Sequence, residues 1–447
     1  MDIFNINSHS VGRALIIWDC FIAISILIIS ERLTGQPLLK DVTTTLHLCT
    51  FVTLFSVSFF SMGLYRNCYR SPEHVFEKLA AAFAMVVIAM FVLSSVHPAF
   101  KTNLTTIFGA TFFGCVAVFL TRLVAARFAE TERFRRRILV VGDLKTLCAL
   151  DRLQHAGRTT RFTMFSPGED SRPVRSDAER LTRLLRTSKA RDLVVSDDYQ
   201  ASPGIAAVLL RCRLDGVRVT LMSAFLERET RKLELTDQEA HRLILTSSPH
   251  RSIASRLVKR AIDISGSLAL LTFTLPLLIV VAIAIKLTDR GPIFYRQARL
   301  GLGGRRFMIT KFRTMSVESD TGSARWATLN DKRVTRVGHL LRRPRIDELP
   351  QLFDVLCGRM SLVGPRPEQV QICDKLSATI PLYDYRHLVL PGLTGWAQIN
   401  LPYADSLEST IEKTQYDLYY LKNGSIVLDL MILAHTIRTV LFSEGSR

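Results

Sequence analysis

Residues 259–287 read KRAIDISGSLALLTFTLPLLIVVAIAIKL, and no charge falls between Ile264 and Ile285. A run of that length matches the ~20 residues an α-helix needs to cross a bilayer core. Its flanks argue against a simple crossing. Arg256, Lys259 and Arg260 precede it, and Lys286, Arg290, Arg296 and Arg299 follow it, whereas positive charge collects on the cytoplasmic side of a membrane. Pro276 sits near the middle, where it removes a backbone donor and bends a helix. Each half is about 11 residues, or ~16 Å, roughly half the bilayer core. The pattern predicts a re-entrant helix over 262–287 that dips into the inner leaflet and turns back at Pro276. The competing reading is an ordinary fifth span with a tolerated proline.

Upstream, residues 1–125 carry four apolar segments, at roughly 14–30, 43–64, 79–96 and 105–124, each near the length of a transmembrane helix. No small-residue cleavage site follows the first, so it reads as a span and not a removed signal peptide. Arg66, Arg70 and Lys78 lie between the second and third segments, and Arg122, Arg127, Arg133, Arg135, Arg136 and Arg137 lie at or beyond the end of the fourth. Both groups belong in the cytoplasm, which puts both ends of a four-helix module inside. Asp19 falls within the first span; with no proton-relay partner in view, it reads as a structural pair inside the bundle.

Residues 137–236 alternate strand-like runs (138–141, 162–165, 193–195, 217–222) with helix-like stretches (144–155, 177–189, 203–213). That alternation predicts a parallel, Rossmann-like α/β domain. Its first strand ends in VVGDLKTLCAL, with Gly142 alone where a dinucleotide-binding loop carries three glycines, so no nucleotide is expected there. The domain reads as a scaffold, a regulator or a homodimer contact. A polar linker is expected over 237–252.

The chain carries 58 Lys and Arg against 40 Asp and Glu, a net charge of +18, while 48% of its 447 residues are hydrophobic. A soluble protein of that charge usually binds nucleic acid. With this apolar content the balance fits a membrane protein with basic cytoplasmic faces, and it excludes disorder, collagen-like repeats and a small disulfide scaffold. The excess of cations reads as attraction to anionic inner-membrane lipid and to phosphates, with no nucleic acid partner. The eight cysteines are scattered without a CxxC, which points to a reducing compartment and neither a zinc site nor a disulfide framework.

The candidate chemistry lies beyond the long apolar helix. YRQARLGLGGRRFMITKFRTM (295–315) and RRPRIDELPQLFDVLCGRMSLVGPRPE (342–368) set Asp347 and Glu348 among many arginines. Neighbouring carboxylates on a helix point about 100° apart and do not readily serve one atom together. They can divide the work, one as nucleophile and the other as a Mg2+ ligand, with arginines gripping phosphate. Read alone, an Asp-Glu pair is as well explained by a helix start that favours its dipole.

The longer strings carry a resemblance. Residues 253–442 resemble the bacterial sugar transferase family, the monotopic polyprenyl-phosphate phosphoglycosyl transferases, through 259–287, KFRTM (311–315), IDELPQLFDVLCGRMSLVGPRP (346–367), PGLTGWAQIN (391–400) and YDLYYLKN (416–423). The four-helix module and degenerate α/β domain are similar to the N-terminal half of long members that prime exopolysaccharide synthesis. FLERET (225–230) and RKLEL (231–235) look like the long-form subgroup. The resemblance implies an α-rich catalytic domain over 253–447, bound to the bacterial cytoplasmic membrane and facing the cytoplasm. It implies transfer of a hexose 1-phosphate from a UDP-sugar, UDP-glucose first and UDP-galactose next, to polyprenyl (undecaprenyl) phosphate, with release of UMP. By match to the family motifs, Asp347 is the nucleophile and Glu348 the acid that holds Mg2+. Lys311, Arg313 and Arg366 lie near the phosphates, and Asp417 is the acid of the YDLYY motif. Leu275 before Pro276 and Asp354, where the family often has serine and asparagine, are departures. A nucleotide-sugar dehydratase would require GxGxxG and YxxxK, and neither occurs here.

Overall fold

The computed structural model describes residues 8–34, 42–64, 72–96, 104–129, 136–142, 160–165, 174–188, 190, 192–197, 203–236, 252–288, 291–315, 333–401 and 406–441. They form two compact units, Met1–Thr230 and Arg231–Arg447. The helix expected over 144–155 and residues 237–251 of the expected linker lie outside the described residues.

The first unit opens with four helices, α1 (Ser8–Thr34), α2 (Val42–Ser61), α3 (Pro72–Val96) and α4 (Leu104–Ala129). They pack through Phe51, Phe55 and Phe59 of α2 with Leu79, Val86 and Met90 of α3 and Val118 of α4. Within the described residues, α3 and α4 have apolar stretches long enough to cross a membrane, Val75–Ser95 and Ile107–Val124. The described apolar stretches of α1 and α2 are Leu15–Ile26 and Cys49–Ser61, within helices of 27 and 20 residues. Asp19 of α1 is fully buried and pairs with buried Arg122 of α4, because neither charge could otherwise leave water. Arg122, expected as part of the basic exit of the fourth span, is therefore an internal partner.

Four parallel strands come next: β1 (Arg136–Val141), β2 (Thr160–Phe165), β3 (Asp192–Val195) and β4 (Arg218–Leu221), in the order β2-β1-β3-β4. In β1, Leu139 and Val141 face a cluster with Leu181 of α5 (Val174–Ser188) and Ile205 of α6 (Pro203–Leu214). Ile138 and Val140 face Met222 and Phe225 of α7 (Met222–Thr230). Period-2 alternation thus feeds two helical layers from one strand. The Gly142 amide donates to Phe165 O at 3.2 Å.

The second unit is organised by α8 (Ile253–Thr288), a continuous helix with Pro276 in its interior. It too is long and apolar enough to cross a membrane. Phe273, Leu275, Leu277, Ile279, Val280 and Ile283 all lie exposed on it, a surface that water would not tolerate and lipid would. Its first turns are pinned to the rest of the unit by charged groups. Lys259 donates to Val363 O (3.1 Å) and Asp429 (3.2 Å), and Arg260 donates to Val355 O (2.6 Å) and Leu356 O (2.7 Å). Asp263 Oδ1 accepts from Ser361 Oγ and Leu362 N, both at 3.0 Å. Two of the cations that flank the apolar run in sequence are thus structural ties.

Beyond α8 come an antiparallel hairpin, β5 (Phe294–Leu300) and β6 (Arg306–Phe312), and the helices α9 (Arg336–Arg342) and α10 (Gln351–Leu356). A short parallel pair joins β7 (Ser361–Val363) to β8 (Gly392–Thr394). The remaining helices are α11 (Val370–Thr379), α12 (Trp396–Asn400), α13 (Leu407–Asn423) and α14 (Ile426–Leu441). The unit starts ahead of the expected linker. Leu233 is buried and its amide donates to Gln415 O (3.1 Å), Lys232 pairs with Glu412, and Trp396 Nε1 donates to Arg231 O (3.1 Å). RKLEL is a strap laid on α13, and Trp396 is a packing residue.

Asp263 gives the first prediction. Asp263→Ala leaves the buried Leu362 amide without its acceptor, a cost on the order of 1–3 kcal/mol, while the Ser361 hydroxyl can still donate to Val363 O at 3.1 Å. Asp263→Asn keeps one acceptor oxygen and should lose less. Thermal unfolding in detergent should rank wild type above Asn above Ala; equal stability of all three would show that this tie does not hold α8.

Candidate active site

The Asp-Glu pair lies in a single 3-10 turn, Ile346–Glu348, between α9 and α10. Arg345 enters it in the left-handed region at φ 58° and ψ 27°, a conformation a non-glycine residue adopts at some cost. Pro350 then starts α10, its fixed φ suited to the first turn. At the other end of α10, Arg260 supplies donors to the last carbonyls, which a helix cannot satisfy itself. The turn is therefore held from both sides.

The pair divides sharply. Glu348 is buried, and its Oε1 accepts from Lys311 Nζ of β6 at 2.8 Å. Arg366 grips the same carboxylate with both terminal nitrogens, Nη1 to Oε2 at 3.1 Å and Nη2 to Oε1. Asp347 is half-buried and, among the described residues, its carboxylate has no hydrogen-bond partner. Burial would push Glu348 up, but Arg366 and Lys311 outweigh it and hold the acid well below the usual carboxylate range. Burial, and then the charge of Glu348, push Asp347 up to about 6, against the pull of Lys311, Arg342 and Arg366. One acid is a fixed anion inside a cation clamp. Its neighbour is open and easier to protonate.

Three separate strings build the clamp. Lys311 comes from KFRTM; Thr314 O of that string accepts from Thr335 N (3.0 Å), and Thr314 Oγ1 accepts from Arg342 Nε (2.9 Å). Arg366 comes from SLVGPRP, which crosses PGLTGW at backbone contact. Gly364 N donates to Thr394 O and Gly392 N to Pro365 O, both at 2.9 Å. A Cβ on Gly392 would lie 2.1 Å from Gly364 N, so only glycine permits this crossing.

The other expected residues take varied places. Arg313 is buried in the middle of KFRTM, one residue past β6. Lys311 and Arg366 point at Glu348 and not at open solvent. Asp417, the acid of the YDLYY motif, is 1% exposed and its Oδ2 accepts from Arg386 Nη2 at 2.7 Å, an internal brace, because a carboxylate at that depth requires a charged partner. Nothing in the local sequence spacing marks Arg386. Asp354 accepts from Thr310 N (3.2 Å) and from Arg359 Nε (3.0 Å) and Nη2 (2.7 Å). An asparagine there could take the amide but could not form the ion pair. Asp429 accepts from Tyr420 OH (2.6 Å), and His435 is buried with it, while Val427, Leu430 and Ile437 are exposed on α14, the two-faced pattern expected of an interfacial helix.

For a divalent cation the donor set is hard oxygen from Asp347 and Glu348. Among the described residues no cluster of three or more metal-ligating side chains occurs. A Mg2+ brought to this turn would take one or two of these carboxylates and fill its shell from phosphate oxygens.

A clamped anion beside a second acid, with arginines around them, is an arrangement suited to handling phosphate. A sequence model of the family described as Bacterial sugar transferase matches residues 254–443, and the chain belongs to that family. It is 41% identical over 259 residues to the UDP-N-acetylgalactosamine-undecaprenyl-phosphate N-acetylgalactosaminephosphotransferase of Aeromonas hydrophila, covering 57% of this chain and 60% of that one. It is 42% identical over 185 residues to the UDP-glucose:undecaprenyl-phosphate glucose-1-phosphate transferase of Escherichia coli K12, covering 41% and 40%. Against the enzyme of the same name from Caulobacter vibrioides it is 41% identical over 200 residues, covering 44% and 75%. The chain thus covers less than two thirds of the first two relatives.

The asymmetry of the dyad is measurable. In metal-free protein with 13C-labelled aspartate carboxyls, the signal that disappears in Asp347→Asn should titrate near pH 6. Because Arg366 favours the charged form of Asp347, Arg366→Gln should move that midpoint upward. A midpoint near the ordinary ~3.9 in wild type would contradict the described surroundings.

Proposed function

We propose that this protein transfers a hexose 1-phosphate from a UDP-sugar to undecaprenyl phosphate, and so starts an exopolysaccharide repeat. The observation that carries the reading is the open Asp347 beside the clamped Glu348. A carboxylate with no hydrogen-bond partner among the described residues, set among Lys311, Arg342 and Arg366, has what a nucleophile toward a diphosphate requires: a lone pair in reach and cations to absorb charge. Asp347 attacks the phosphorus bonded to the sugar, the bond to the nucleotide oxygen breaks, and UMP leaves. An oxygen of the lipid phosphate then attacks the same phosphorus and frees Asp347. Glu348, kept ionised, fixes Lys311 and Arg366 at the rim of the phosphate path. Bound Mg2+, held by Glu348 with Asp347 beside it, would neutralise charge on the diphosphate.

UDP-glucose is the first choice of donor, after the names of several relatives. UDP-N-acetylgalactosamine is the second reading, favoured by the Aeromonas relative, whose match extends over 57% of this chain. The exposed apolar surface of α8 supports a re-entrant seat in the cytoplasmic leaflet of a multi-pass inner-membrane protein, which brings the lipid head group to Asp347.

Incubation with donor alone should release UMP and leave sugar phosphate on the peptide that contains Asp347, as mass spectrometry would reveal. Asp347→Asn should abolish both half-reactions, whereas Glu348→Gln should slow turnover and raise the Mg2+ requirement. Sequential kinetics with both substrates bound, or substantial turnover by Asp347→Asn, would defeat the mechanism. A panel of labelled UDP-sugars with undecaprenyl phosphate identifies the donor by the label that enters the lipid phase.

Topology has its own test. Leu257→Cys and Leu302→Cys, both at exposed positions, should react with an impermeant thiol reagent only from the cytoplasmic side, in a background without other reactive cysteines. Periplasmic labelling of either one would make α8 an ordinary crossing helix.

A further inference from the structure

The loop that carries Arg366 is held from behind. Pro365 and Pro367 flank Arg366, and each lacks the N–H that a backbone normally contributes. This stretch therefore depends on outside donors to its carbonyls. Gly392 N supplies one to Pro365 O, and Arg386 Nη2 supplies another to Arg366 O at 2.9 Å. Arg386 lies in the 3-10 turn Tyr383–Leu388, and only 2% of its side chain is exposed. The same Nη2 donates to Asp417 Oδ2 on α13 at 2.7 Å, and Nη1 donates to Tyr383 OH at 2.8 Å. The Tyr383 ring lies beneath the guanidinium, 5.1 Å from its centroid. One planar fork is thus committed in three directions, and it meets the site through the main chain of Arg366.

We propose that Arg386, anchored by Asp417, is a positioning residue that sets where Arg366 stands against Glu348. This rests on the reading of Asp347 and Glu348 as the reacting dyad. Arg386 is not bonded to either acid. It fixes the carbonyl of the residue whose side chain grips Glu348 at both oxygens, and a bidentate grip depends on geometry, where a misplacement of about 1 Å is costly to catalysis. Asp417 keeps the buried guanidinium charged and oriented, which explains an acid at this depth on a helix that contributes nothing else to the dyad. A lysine at 386 retains a charge for Asp417 but has no planar fork with which to hold two acceptors at once.

Full-length Arg386→Lys, in detergent, is compared with wild type by two readouts. The first is hydrogen exchange at the amides of Gly364, Arg366, Glu368 and Gly392, expected to be about tenfold faster in the variant while the amides of α8 exchange as before. The second is kinetic: kcat should fall about tenfold or more, with KM for undecaprenyl phosphate within about twofold and the unfolding temperature within a few degrees. Unchanged exchange in the loop overturns the proposal whatever the activity does. Faster exchange with full kcat overturns the catalytic half of it. A merely structural ion pair predicts that lysine restores both stability and turnover, which also overturns it. If the wild-type protein itself releases no UMP from any donor, the failure belongs to the proposed function, and the exchange result still decides whether Arg386 positions the loop. Asp417→Asn supplies a second variant, with the same loop expected to loosen while α8 stays protected.

Discussion

Two adjacent carboxylates in a half-buried turn repel each other, and burial penalises both charges. The turn is tolerable only if cations are brought to it from elsewhere. Here they converge unequally. Lys311 and Arg366 both close on Glu348, and Asp347 accepts no hydrogen bond among the described residues. Much of the second unit can be read as what that convergence requires. A hairpin carries Lys311, a proline-flanked loop carries Arg366, and a turn entered through a left-handed arginine presents the acids.

The membrane helix is part of the same construction. Lys259, Arg260 and Asp263 are placed about one helical turn or less apart, so they share one side of α8. Each ends on a different element: Asp429 of α14, the last carbonyls of α10, and the start of β7. Arg260 closes the far end of the helix that begins at the Asp-Glu turn. The apolar helix and the element that presents Asp347 are therefore tied within a few residues, and the position of Asp347 relative to α8 is set by these ties. The buried Asp19–Arg122 pair does comparable work in the four-helix module, where a charge left alone would be costly.

The two departures from the family pattern have different standing. Asp354 in place of asparagine gains an ion pair with Arg359 while it keeps the amide of Thr310, so the substitution adds a charge and its partner together. Leu275 before Pro276 is exposed on the apolar face of α8, and nothing in the structure explains the choice of leucine there.

By itself the sequence determined the features that depend on local pattern. Apolar runs of helical length located the helices of the first module and α8, short apolar runs alternating with helix-like stretches located the four strands of the parallel sheet, and the order of strings such as IDELPQLF and PGLTGW identified the family. These signals survive reading along one dimension because each is a property of neighbours in the chain. Which acid is clamped and which is open could not be read that way, since the answer lies in cations 37 and 18 residues from Glu348. For the same reason Asp417 is only the acid of a motif in the sequence, and its pairing with Arg386, 31 residues away, is seen in the structure alone. The strap at RKLEL was legible as a motif and not as part of the second unit, because its role depends on Trp396 and Gln415 lying across the fold. Charge fixes its meaning through its partner, and partners are chosen by tertiary packing.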